Sequence, residues 1–77
     1  MYKFLIVVEK TKTGYSAYSP DLPGCVATGK TKEQAESNMY EAIEMHVAGM
    51  IEDGMQVPES KASSAYALVP KPVKQPA

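Results

Sequence analysis

Apolar residues run almost without a break from Tyr2 to Val8, ending at Glu9, and both alternating faces of that run are largely hydrophobic. A strand buried on both sides has this pattern, so Tyr2–Glu9 is expected to be a central strand. Thr11-Lys12-Thr13-Gly14 follows as a polar turn whose glycine can take a positive φ. From Tyr15 to Ser19 the chain alternates Tyr15 and Ala17 against Ser16 and Tyr18, a second strand that should pair with the first as a hairpin. Cys25-Val26-Ala27-Thr28, ending at Gly29, makes a short third strand, and a three-stranded antiparallel meander is the simplest arrangement.

The period then changes from two to 3.6. Thr31 can cap a helix, Gln34 stands three residues later as in a capping box, and Glu33 and Glu36 complement the positive end of the dipole. At 100° per residue Ala35, Met39, Ala42, Ile43, His46 and Met50 share one face, with Ser37, Glu41, Glu44, Ala48 and Glu52 opposite. Gly54 suits the position after the helix and Pro58 prevents its resumption, so the helix is expected over residues 32–53. A fourth strand is expected at Ser64–Val69, where Ala65, Ala67 and Val69 alternate with Ser64, Tyr66 and Leu68. The predicted class is α+β: a β-β-β-α-β domain over residues 1–69, with an antiparallel sheet covered by one long helix. Residues 70–77, with Pro70, Pro72 and Pro76, are expected to be a disordered tail.

Between the second and third strands lies Tyr18-Ser19-Pro20-Asp21-Leu22-Pro23-Gly24-Cys25. Two prolines bracket Asp21 and Leu22, which makes this segment a stiff corner whose shape is set before any partner arrives. Asp21 could accept hydrogen bonds from the amides of its own turn, bind a cationic group, or do nothing chemical; the turn role is the default.

Size and composition narrow the functions. A chain of 77 residues buries roughly 60–65 % of its unfolded surface, a marginal core that an oligomer or partner would help. The lone Cys25 forms no internal disulfide, consistent with a reducing cytoplasm, and is expected to be a small buried residue. The run Phe4–Val8 is far too short for a signal-peptide core or a membrane span of ~20 residues. All eight basic residues are lysines. Without arginine the chain lacks the best bidentate partner for phosphates and guanine edges, which argues against direct nucleic-acid binding. Charge is segregated: residues 1–30 carry a net +2, residues 31–60 a net −6 and residues 61–77 a net +3. The acidic helix could attract a basic protein, or be only a solvated face.

A metal-dependent nuclease needs several carboxylates converging from strands or strand ends, where only Glu9 and Asp21 are available. Glu41 and Glu44 lie on the helix face away from the sheet. His46 has no second histidine or cysteine at ligand spacing; it reads as a core or interface histidine, with an acid/base or pH-sensitive role as the alternative. No serine or cysteine has a base beside it, and the glycines are scattered singly. Tyr15 and Tyr18 would need to share a sheet face to stack on bases, yet an odd separation puts them on opposite faces. No catalytic, metal or cofactor site is assigned.

The proline corner, followed by Gly29, Thr31 and a helix containing Glu33, Gln34 and Ala35, resembles the signature of the HicB-like antitoxin family. From Tyr2 to about Pro58 the order of elements is that of the family, about three quarters of the chain. The resemblance implies a degenerate RNase H-like fold that has lost its nuclease carboxylates, and a non-enzymatic protein that neutralises a small basic HicA-like toxin, an mRNA-cleaving protein, by covering its active site. It also implies a homodimer or higher homo-oligomer in the cytoplasm. Tyr18, Pro20, Asp21, Leu22 and Pro23 are then expected at a partner-facing corner. Many members bind DNA through a C-terminal helix-turn-helix or ribbon-helix-helix segment; the proline-bearing residues 70–77 leave no room for one, so no direct DNA binding is expected from this chain alone. The competing reading is an orphan RNase H-like domain with weak nuclease activity through Glu9, Asp21 or His46, or one that binds nucleic acid with its sheet and lysines.

Overall fold

The structure, a computed structural model, describes residues 1–72. Three strands, β1 (Val7–Lys10), β2 (Tyr15–Tyr18) and β3 (Val26–Gly29), precede one long helix, α1 (Lys32–Glu52). The sheet is antiparallel in the order β1-β2-β3, with Val8 opposite Ala17 and Ala17 opposite Ala27. The α+β meander capped by a helix is therefore as the pattern predicts.

Two details of the sheet differ from expectation. β1 is an edge strand and β2 the central one; β1 is also shorter, because its partner β2 ends at Tyr18 and the chain turns away at Pro20, leaving residues 2–6 without a strand opposite. Gly14 does not have a positive φ. The β1–β2 turn is closed by an N–H donated from Thr11 to the Gly14 carbonyl (2.8 Å) and one returned from Gly14 to Thr11 Oγ1 (3.1 Å).

α1 lies across the sheet over β3 and β2 rather than over β1. Small residues allow the close approach: Ala17 and Ala35 are fully buried, and a Cβ on Gly29 would collide with the backbone of Gln34 and Ala35. Met39 and Leu22 fill the centre of the core, with Cys25 beside them. The face of α1 against the sheet runs Ala35, Met39, Ala42, Ile43, Val47 and Met50. Val47 joins the expected stripe, and His46 sits half-buried at its margin. Glu41, Glu44, Ala48 and Glu52 point to solvent as predicted.

Both helix ends are closed by the chain itself. Thr31 Oγ1 accepts the Gln34 N–H at 3.0 Å, and Gln34 reaches back to take the Lys30 N–H at 2.6 Å, one residue earlier than in the usual capping box. At the far end Met55 donates to the Met50 carbonyl and Gly54 to that of Ile51, the paired bonds of a Schellman motif. The helix ends at Glu52 with Asp53 as its cap.

No fourth strand forms at Ser64–Val69: the segment is extended but stands away from the body, with Tyr66 100 % and Leu68 97 % exposed. Alternation alone does not make a strand; a partner edge must supply the hydrogen bonds, and none lies beside these residues among the described residues. Of the expected tail, residues 70–72 are exposed and without regular structure, and residues 73–77 lie outside the described residues.

Candidate functional site

The corner between β2 and β3 consists of two consecutive turns. Leu22 donates its N–H to the Ser19 carbonyl (3.2 Å) and Cys25 donates to the Leu22 carbonyl (3.1 Å). In the second turn Pro23 and Gly24 occupy the central positions, and Gly24 has φ 85°, the arrangement of a type II turn in which only glycine is comfortable at the third position. Leu22, at the join, drives its side chain into the core and is 1 % exposed. This pulls the corner down onto the sheet and leaves Pro20 and Pro23 on the outside.

Asp21 does not cap its own turn. That task falls to Ser19, whose Oγ accepts the Asp21 N–H at 3.3 Å, while the Asp21 carboxylate reaches across to two remote segments. Oδ2 accepts the Leu5 N–H at 2.9 Å and the Ser60 hydroxyl at 2.8 Å, and Oδ1 accepts the Lys61 N–H at 3.4 Å. The backbone N–H of Leu5, followed by the Ser60 hydroxyl, holds the carboxyl below its ordinary value of 3.8. The expectation of a local Asx turn missed this because a partner 16 or 40 residues away leaves no local sequence signal.

Of the five residues expected at the partner-facing corner, the structure thus brings Tyr18, Pro20 and Pro23 to the surface. Leu22 is packed in the core and shapes the surface instead of forming it, while Asp21, half-exposed, ties the corner to the rest of the body. Tyr18 points from the outer face of the sheet and is 40 % exposed, opposite Val26 at 66 %. Tyr15 is on the inner face with the Lys10 ammonium 5.2 Å from its ring centre, so the two tyrosines do point to opposite sides. Val26 continues the apolar surface into an open hollow of about 360 Å³ lined by Gly24, Cys25, Val26, Ala42, Met45 and His46. Tyr18 is paired with Val26, and Val26 shares the hollow with exposed Met45, which links the outer sheet face to the flank of α1.

Sequence reasoning missed Val26 and Met45. The signals were the outward parity of Val26, opposite Tyr18, and the position of Met45 off the buried helix stripe. Cys25 is buried at the base of the hollow, as expected, and burial pushes its thiol up, keeping it protonated and weakly nucleophilic. A larger polar hollow of about 530 Å³ lies between the β1–β2 turn and the start of α1. Its polar groups serve the fold: Gln34 holds the Lys30 N–H, Asn38 Nδ2 donates to the Thr28 carbonyl (2.8 Å) and Thr11 holds Gly14.

Among the described residues no three His, Cys, Asp or Glu side chains converge on a point where a metal ion could sit, and no helix is long and apolar enough to cross a membrane. A nuclease role for Asp21 competes with structure, since both its oxygens are already taken by the chain.

Comparison with known proteins decides the lineage. Residues 4–72 match the family described as HicB-like antitoxin of bacterial toxin-antitoxin systems. The chain belongs to the HicB-like antitoxin family. This HicB-like chain is 39 % identical over 66 residues to an uncharacterised 14.9 kDa protein from the rep-hol intergenic region of Haemophilus phage HP1, covering 86 % of this chain and half of the phage protein. It is 40 % identical over 57 residues to a UPF0150 protein of Helicobacter pylori (74 % of this chain, 79 % of the relative) and 33 % identical over 61 residues to one of Thermoplasma acidophilum (78 % and 88 %). In three dimensions it superposes on a chain of a HicA3 and HicB3 toxin-antitoxin complex with a TM-score of 0.58 and 30 % identity, covering 70 % of this chain and 66 % of the other. The HicB-like body described above thus spans half of the phage relative and just under two thirds of the solved chain.

Proposed function

We propose that this HicB-like chain is a non-enzymatic antitoxin module that binds a small basic HicA-like toxin and neutralises it by covering its RNA-cleaving site. The observation that carries the reading is the similarity, in sequence and fold together, to a chain from a HicA3 and HicB3 toxin-antitoxin complex. The apolar surface of Tyr18, Pro20, Pro23, Val26 and Met45 supports it with the anatomy of a protein interface. Aromatic and methionine side chains supply adaptable apolar contact, and the two prolines hold their places with little entropy to lose on binding. Leu22 fixes the corner from beneath and half-exposed Asp21 from its side. The acid-rich outer face of α1 supplies long-range attraction for a cationic partner. A degenerate RNase H-like ancestry, a cytoplasmic site of action and a homodimer or higher homo-oligomer as the working form complete this reading.

The test is reconstitution with a HicA-like protein from the same cells. The chain should co-purify with it and stop its cleavage of RNA at equimolar amounts. Tyr18→Ala combined with Val26→Asp should weaken the complex at least tenfold, about 1.4 kcal/mol, with unchanged circular dichroism. Cleavage that continues in excess of the chain would sink the antitoxin reading; full affinity in the double variant would move the interface elsewhere.

A further inference from the structure

Three of the residues around the hollow between β3 and α1 carry soft metal donors. Cys25, Met45 and His46 line its volume of about 360 Å³, together with Gly24, Val26 and Ala42. The three donors come from two well-fixed parts of the body. Cys25 is held at the end of the proline corner by its N–H bond to the Leu22 carbonyl (3.1 Å), and, two positions before Ala27, it shares the inward parity that faces α1. Met45 and His46 stand three and four residues after Ala42, on the next turn of the same helix flank. The small side chain of Ala42 leaves the space between them open.

Two of these donors have nothing else to do. Among the described residues neither the Cys25 thiol, 5 % exposed, nor the half-buried His46 imidazole takes part in a hydrogen bond. The chemistry of the set selects its ligand. No carboxylate lines the hollow, so hard cations such as Mg²⁺ and Ca²⁺ find no charged oxygen there. Zn²⁺ would meet only two of its customary ligands, one thiolate and one imidazole, where a structural site wants four. A thiolate, a thioether and an imidazole together suit a soft, low-coordinate cation, and Cu(I) is the biological one.

We propose that Cys25, His46 and Met45 form a three-coordinate site for Cu(I). On binding, the Cys25 thiol gives its proton to solvent and the sulfur bonds the metal as thiolate, while the His46 nitrogen and the Met45 thioether bind as neutral donors. No electron is transferred, and the thiol proton is released. The site goes beyond the antitoxin reading and does not depend on it.

The test is a titration of the full, reduced chain under nitrogen with Cu(I) held by bicinchoninate, whose colour reports the copper it loses. The chain should take up one Cu(I) and develop the ultraviolet absorption of a copper–thiolate bond, and Cys25→Ala should show neither. Met45→Leu conserves volume at a side chain 76 % exposed, so it tests the site without disturbing the core. It and His46→Gln should each weaken Cu(I) binding at least about tenfold, the low end of what changes around a metal site cost, with unchanged circular dichroism. No uptake, a preference for Zn²⁺ over Cu(I), or uptake by Cys25 that is indifferent to both Met45→Leu and His46→Gln would each overturn the site. Toxin binding is read separately by reconstitution, so either result there leaves this one standing.

Discussion

Asp21 takes hydrogen bonds from three backbone positions or side chains that the chain brings together only on folding, and its stability effect therefore has a definite pH dependence. Its folded carboxyl titrates below the ordinary 3.8. A depressed carboxyl contributes fully above the unfolded value and loses that contribution as pH falls through the lower folded value. Asp21→Asn should thus be less stable than wild type at neutral pH, with the difference shrinking below about pH 4. Urea melts of both chains at several pH values check this. An offset that persists unchanged at pH 2 would mean that the carboxylate charge is not what holds Leu5, Ser60 and Lys61. Which residues surround Asp21 was not legible from local pattern, whereas Leu22 was ambiguous for another reason. Leucine between two prolines fits an exposed anchor as well as a buried one, and only the direction of the turn decides.

α1 was the element most legible in the sequence, because cap, stripe and stop are all local. Thr31, Gln34 and Gly54 stand where the hydrogen bonds of both ends need them. Thr31→Ala removes the acceptor for the Gln34 N–H and should cost about 1 kcal/mol, a fall in melting temperature of roughly 4–8 °C for a domain of this size. Differential scanning calorimetry gives the number, and an unchanged melting temperature would mean that water replaces the cap without loss. The strands were legible in place but not in length or rank. A strand's extent is set by its neighbour, and the apolar stretch Tyr2–Ile6 has none beside it once β2 has turned at Pro20. Ser64–Val69 shows the same dependence more strongly: its alternation is real, but it pairs with no strand among the described residues.

For the whole molecule, the proposed complex divides the work of recognition between charge and apolar surface. In that proposed complex the net −6 of residues 31–60 would act at a distance, while the exposed Tyr18, Val26 and Met45 would act at contact. Raising ionic strength from about 50 to 500 mM should slow association with a basic toxin by roughly tenfold or more and leave dissociation nearly unchanged. Stopped-flow or surface-binding kinetics separates the two rates. A rate of association indifferent to salt would reduce the acidic helix to a solvated face. The family was legible from the proline corner and helix start, while the proposed contact surface was not, since it is assembled from a strand, a turn and a helix flank distant in sequence.

The Asp21 clasp also makes the order of elements along the chain incidental to the folded body. Leu5 and Ser60 meet at one carboxylate, so the body is a ring of residues with its two ends side by side. Joining those ends by a short linker and opening the ring at Thr13–Gly14 would keep every strand pair and the seat of the helix, as neighbouring ends generally permit. Far-ultraviolet circular dichroism of such a permuted chain would betray a lost helix if the covalent order mattered. Seen this way, residues 62–72 are a pendant fastened to the ring beside the Asp21 carboxylate.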